Sequence, residues 1–279
     1  MKNEKFLAEY SSEAAVKKYT RATAGSGIAY LLEHEYKAVY LAALHALPDA
    51  TRRQPLQILE FGCGGGMNLL HLTSMLEHEG FKVEAAIGTD FSPVLIEAAQ
   101  REARSYLNPD QQEKVRFCAA RNEALLTDLS AELDRSSAAL RSSFQFIFGV
   151  NTIRYCHRTG EQLNCAKAIF ELLVPGGVSV VIDMNNRFPV FRSAIRDRMH
   201  KNKEEYYLPS LNEYAAPFAQ VGFEILRKEH FSWIPHSAGL ELTRVARIAS
   251  PLLDRCAKSR AMRSLVVVRK PDVAVSQGR

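Results

Sequence analysis

From Leu56 to Met184 the chain alternates between two patterns of apolar residues. Short unbroken apolar runs give way to stretches in which apolar residues recur every three or four positions. These are the signatures of buried strands and amphipathic helices. LQILEF (Leu56–Phe61) is the first run, and Met67–His78 follows with Leu69, Leu70, Leu72, Met75 and Leu76 facing inward. VEAAIGTD (Val83–Asp90) reads as a second strand. Ser92 then caps a helix with Pro93 at its first position, where a missing N–H costs nothing. VRFCAA and FQFIFGVNT are the third and fourth strands, a helix at Gln162–Leu173 is closed by Pro175, Gly176 and Gly177, and VSVVIDM is the fifth strand. Such alternation predicts a doubly wound α/β fold whose mostly parallel sheet is covered on both faces.

The flanks read differently. Before Leu56 the pattern is helical throughout: Ser11 or Ser12 caps one helix through Lys18, and Ile28–Leu47 forms a second. Leu31, Leu32, Tyr36, Val39, Tyr40 and Ala43 share one face of the second helix, and Pro48 and Asp49 end it. Residues 1–50 are expected to form a helical lid over the mouth of the main domain, 51–271, with 272–279 as a frayed tail. Beyond the fifth strand, a helix at Leu211–Gln220 stops at Gly222. FEILRKEHFSWI and SLVVVRK then complete seven strands. No clear crossover helix separates these two, so an antiparallel C-terminal edge strand is expected. The Ser/Ala-rich stretch Ser130–Ser143 reads as a surface helix or loop, and no internal repeat is present.

Composition narrows the class without deciding it. The 279 residues carry a net charge of +5, enough chain for a full core without staples. The densest basic stretch, Arg187–Lys203, lacks the base-reading partners of a nucleic-acid face and reads as a solvated helix face. The cysteines Cys63, Cys118, Cys156, Cys165 and Cys256 are odd in number and contain no C-x-x-C pair, which points to reduced thiols and no metal site. The opening MKNEKFLAEYSSEAAVKKY has no signal-peptide core. No run approaches the roughly 18 apolar residues of a membrane span. A cytoplasmic protein acting on a small molecule, without nucleic-acid or membrane partners and as a monomer or homodimer, is the resulting expectation.

The chemistry begins where the first strand ends. Glu60 is followed by Gly62, Gly64 and Gly66 in the pattern E-x-G-x-G-x-G. Glycines at these positions let a turn be tight and let backbone approach a ligand closely. The spacing is not the G-x-G-x-x-G of a dinucleotide site. Asp90 at the end of the second strand also lies further on than the roughly 20 residues of that fingerprint. A carboxylate at Glu60 would repel a pyrophosphate but suits an ammonium. Asp90 suits the two hydroxyls of a ribose. A nucleoside with an amino-acid tail satisfies both acids, and S-adenosylmethionine is such a molecule.

ILEFGCGGG, IGTDFSPVLIEAAQ, FQFIFGVNTIRY and LLVPGGVSVVI together resemble the class I, Rossmann-like, S-adenosylmethionine-dependent methyltransferases, over about Leu56–Met184, and SLVVVRKP fits that family's last strand. The resemblance implies that Glu60 and the loop Gly62, Cys63, Gly64 hold the methionine moiety. It further implies that Asp90 takes the ribose and Phe91 packs on adenine. The family's usual adenine-reading acid after the third strand is missing; Arg121 stands near that place, with Asn122, or else Glu123, as the substitute. Asn151, after the fourth strand, would lie beside the sulfonium.

Acceptor-side candidates come from the segments that differ within the family. NTIRYCHR offers Arg154 as a carboxylate clamp, with Tyr155 beside it, and His157 as a general base; imidazole titrates near working pH. FSWIPHSAG offers Trp233 and His236, DMNNRFP offers Asp183, Asn185 and Asn186, and the N-terminal lid offers Tyr19 and Arg21. The leading function is O- or N-methylation of a small molecule, in secondary or specialised metabolism. The alternatives are transfer or cyclisation of the aminocarboxypropyl group, which releases methylthioadenosine, and a non-catalytic cofactor-binding module.

Overall fold

The computed structural model describes residues 16, 17, 20, 25–191 and 208–272. Tyr19, Arg21 and most of the expected helix ending at Lys18 lie outside the described residues, as does the chain beyond Asp272.

Ser26 caps the first helical segment by accepting from the Ala29 N–H. The chain then runs from α1 (Gly27–Tyr30) through a π-helical turn (Leu31–Tyr36) into α2 (Lys37–His45). After α3 (Asp49–Arg52) come β1 (Leu56–Phe61), α4 (Met67–His78), β2 (Val83–Asp90), α5 (Pro93–Tyr106), α6 (Pro109–Lys114) and β3 (Val115–Ala119). Next are α7 (Leu125–Glu132), α8 (Ser137–Leu140), β4 (Phe144–Val150), α9 (Ile153–Thr159), α10 (Gln162–Leu172) and β5 (Leu173–Met184). The described chain closes with α11 (Leu211–Val221), β6 (Glu224–Phe231), α12 (Leu240–Ala257) and β7 (Arg263–Arg269).

The seven strands form one sheet in the order β3-β2-β1-β4-β5-β7-β6. β1 to β5 pair in parallel, and β7 runs antiparallel between β5 and β6. The antiparallel strand therefore sits one place in from the edge, and β6 is outermost. The order reverses between β1 and β4, the place where open α/β sheets bind ligands beyond the carboxyl ends of their strands. The register puts Arg263, the first residue of β7, between Met184 of β5 and Phe231 of β6, at that same end of the sheet.

Both faces are buried, which is why the strands read as continuous apolar runs rather than alternating ones. Ile58, Phe146 and Phe148 join one core with Leu31, Tyr36, Tyr40 and Leu44 of the N-terminal helical run. Leu59 and Ile147 join the other, with Leu125, Ile169 and Phe218. The N-terminal helical run is thus packed into the core of the sheet domain.

Two local features depart from the sequence pattern. β5 begins at Leu173, before the Pro-Gly-Gly turn: Leu173 pairs with Phe144, and the ladder resumes at Val178 opposite Phe146. Gly176, at φ +73, makes that bulge possible. α12 was not anticipated, because its pattern is inverted. Thr243 is its buried residue, and Leu242, Val245, Ile248 and Leu252 face outward.

Candidate functional site at the carboxyl ends of β1, β2 and β4

Glu60 ends up completely buried because β1 lies in the middle of the sheet. Asn68, in the first turn of α4, donates from Nδ2 to its Oε1 at 3.2 Å, while its Oε2 has no hydrogen-bond partner among the described residues. Burial pushes the carboxyl well above its ordinary range, and the nearby Asp90 adds to the rise. Its partner-free Oε2 leaves an acceptor position for a donor group of a ligand.

The glycine loop wraps this acid. Gly62 sits at φ +64, and a side chain there would overlap the Thr152 side chain at the exit of β4. Cys63 is buried; its N–H donates to the Thr89 carbonyl at 2.8 Å, and burial pushes its thiol up. The Gly64 N–H donates to Asp90 Oδ2 at 3.0 Å, and the Ser92 N–H donates to Asp90 Oδ1 at 2.9 Å. Each Asp90 oxygen thus takes one backbone donor and keeps acceptor capacity for one more, which matches a pair of neighbouring hydroxyls. Phe91 is half-buried next to it.

Asn122 donates from Nδ2 to Thr152 Oγ1 at 2.7 Å, so its carbonyl oxygen is the group left to receive an amine. Arg121 turns away, paired through Nε and Nη2 with Asp128 at 3.0 and 3.1 Å on the surface. Asn151 holds φ +57, and its N–H donates to the Ile182 carbonyl at 2.7 Å. Its Oδ1 accepts from Nη1 of Arg263 at 2.9 Å, so that oxygen already has one donor.

The acceptor-side candidates fall into two groups. Arg154, Tyr155 and Asp183 form a packed unit. Arg154 Nη1 reaches Asp183 Oδ1 at 2.8 Å, its backbone N–H reaches Oδ2 at 3.1 Å, and its Nη2 donates to the Tyr155 hydroxyl at 2.9 Å. The guanidinium is paired with an internal acid, Asp183. Asn185 is likewise committed: its amide donates to the carbonyls of Ser259 and Ala261, and its oxygen accepts from the Arg187 N–H. Trp233 is tied through its indole N–H to Asp254 of α12 at 2.8 Å. His157 lies edge-on to Tyr214 of α11, with ring centroids 5.6 Å apart, and burial lowers its pKa. Asn186 Oδ1 is buried without a partner among the described residues.

The second group centres on Tyr36, where the π-helical turn ends. Its hydroxyl lies 2.9 Å from His236 Nε2, and burial pushes the phenol up to about 12. Glu35 and Arg263 are both in electrostatic reach of it. A π-helical turn is a frequent device for aiming side chains at functional sites. Tyr36 showed in the sequence only as an apolar-face residue, and Arg263 and Glu35 carried no signal; fold topology alone brings them together.

The sequence matches the methyltransferase domain family over residues 32–245. The chain belongs to the class I S-adenosylmethionine-dependent methyltransferases. Its cofactor is S-adenosylmethionine, and the buried, half-satisfied Glu60 and the doubly anchored Asp90 fit the amino-acid tail and the ribose of that molecule. A search of curated proteins found no match. Among solved structures, this methyltransferase is similar to a SAM dependent methyltransferase from Aquifex aeolicus, with a TM-score of 0.56 and 13% identity over 93% of this chain and 98% of that one. It is also similar to the geranyl diphosphate C-methyltransferase of Streptomyces coelicolor A3(2), at TM-score 0.55 and 14% identity over 96% and 97% of the two chains. The [4+2]-cyclase SpnF gives a TM-score of 0.54 at 16% identity, over 85% of this chain and 81% of that one. At such identities the likeness is one of fold. Among the described residues, no helix is long and apolar enough to cross a membrane.

Proposed function

We propose that this methyltransferase methylates a small-molecule acceptor at oxygen or nitrogen, in a chamber bounded by the π-helical turn, the Ser232–Gly239 segment and the ends of β4, β5 and β7. One observation carries the reading. Tyr36, at the end of the π-helical turn, and Arg263, bonded to Asn151, are both fully buried polar side chains. Polar groups buried beside the cofactor site suit a small acceptor better than a polymer. A structural neighbour whose name gives geranyl diphosphate as its substrate supports the same class.

When bound, the sulfonium supplies a methyl group already activated for displacement. The chain's own work is alignment and exclusion of water. Glu60 takes the ammonium, and Asp90 takes the ribose hydroxyls. The Asn122 carbonyl receives the adenine amine, and Phe91 packs on the base. His236, hydrogen-bonded to Tyr36, is the proposed proton acceptor for a hydroxyl or protonated amine; His157, turned toward Tyr214, is less well placed for that role. The proposed setting is cytoplasmic.

Calorimetry with S-adenosylhomocysteine on wild type and Asp90→Ala tests the cofactor half, and an unchanged affinity sinks it. Product analysis with candidate amines, alcohols and phenols tests the reaction. Methyl transfer leaves S-adenosylhomocysteine, whereas methylthioadenosine would mean that the aminocarboxypropyl group moves instead.

A further inference from the structure

Among the described residues, Arg263 is the largest fully buried side chain, only 1% exposed. It stands at the first position of β7, at the carboxyl end of the sheet, beside Met184 and Phe231. Its Nη1 donates to Asn151, a neutral amide, and its Nε is buried with no hydrogen-bond partner among the described residues. Among the described residues it makes no ion pair, in contrast to Arg154, whose buried partner is Asp183. Burying a guanidinium without a counter-charge is costly, and such groups are retained where an anion arrives to complete them.

The acids nearby do not supply that anion. Asp183 is taken by Arg154 and by the backbone N–H groups of Arg154 and Met184. Glu35 has one buried carboxyl oxygen with no partner; burial raises its pKa, and Arg263 is the smallest of the influences on it. Glu35 and Arg263 form no ion pair with each other among the described residues.

We propose that Arg263 is the receptor for an anionic group on the methyl acceptor, a carboxylate or a phosphate monoester, held within reach of Asn151. Asn151 fixes the guanidinium through Nη1, which leaves Nε for the incoming oxygen. Arginine is the residue suited to planar, multi-point recognition of such groups. The subsite lies where β4 ends and β7 begins, so it sets which acceptors place their nucleophile beside the cofactor. This assignment rests on the methyl-transfer reading above and narrows its substrate class.

The test uses the full chain saturated with S-adenosylhomocysteine, with acetate and inorganic phosphate as probes. Melting temperature is followed against sodium chloride of equal ionic strength. Acetate or phosphate is expected to stabilise wild type beyond chloride; the anion that does so names the acceptor's group. Arg263→Met is expected to abolish that stabilisation while S-adenosylhomocysteine affinity stays within about threefold. If Arg263→Met does not fold, Arg263→Lys serves: it keeps the charge, loses the fork, and should weaken the effective anion about tenfold. Equal stabilisation of wild type and variant overturns the proposal, as does no effect of either anion beyond chloride. Failure of wild type to bind S-adenosylhomocysteine would instead overturn the cofactor reading, so the two failures are distinguishable.

Discussion

The two sides of the site are held by different means. On the β1–β2 side the geometry is made by backbone and short-range bonds. Asp90 is gripped by N–H groups 26 and 2 residues away in sequence, and the glycine loop closes on the adjacent β4 exit. On the β5–β7 side it is made by long side chains that meet across the fold. Arg154 and Asp183 are 29 residues apart, Asn151 and Arg263 are 112 apart, and Tyr36 and His236 are 200 apart. Backbone contacts need particular residue types at fixed offsets and so leave a motif. Side-chain contacts need only that two strands or helices end in the same place.

That difference can be broken at several points. The largest effect is expected from Asp183→Ala, which strands the guanidinium of Arg154 in a site where its side chain is 14% exposed. Removing one partner of a buried pair should cost about 3–5 kcal/mol, read by urea denaturation. A loss under about 1 kcal/mol would mean that water already screens the pair.

Gly62→Ala strikes the backbone side. It forces a side chain onto φ +64 and into Thr152. A loss of about 2 kcal/mol, with weakened S-adenosylhomocysteine binding by calorimetry, is expected. Full stability would show that the loop relaxes and that its geometry is not backbone-determined.

Glu60→Gln sharpens the comparison through pH. The folded carboxyl lies above its ordinary value of 4.5 because of burial. Between 4.5 and its raised folded value, the fold binds a proton that the unfolded chain has released. Stability from this group is therefore present below 4.5 and is lost as pH rises through that window. Glu60→Gln should remove the slope and stabilise the ligand-free protein by about 1 kcal/mol at alkaline pH, while weakening cofactor binding about tenfold. Denaturation at pH 5 and pH 8 checks the sign; a variant that is less stable at both contradicts it.

Arg121→Ala should do least. Its bond to Asp128 is on the surface, and a change within about 0.5 kcal/mol is expected, with unchanged S-adenosylhomocysteine affinity. A loss of affinity would move the reading of adenine from Asn122 to Arg121.

Much of the fold was legible because its signals are local. Ser92 with Pro93, Gly222 after α11, and the apolar runs of β1 to β5 each mark an element by adjacent residues. α12 was missed because helical periodicity is read as burial, and here the apolar stripe faces outward. Arg154 meets Asp183, since the ends of β4 and β5 are neighbours in the sheet. Arg263 carried no signal in the sequence; its burial follows from the place of β7 between β5 and β6.

The sequence by itself determined the fold class and the cofactor, and named the two acids proposed to hold it. Turn geometry and the charges of the ligand's tail and ribose constrain residue types over a few tens of positions. Only the tertiary structure decided which acceptor-side candidates come together. Which cation meets a buried acid and which has no ion pair among the described residues depends on strand order and on a π-helical turn, and these are set by packing between residues far apart in the chain.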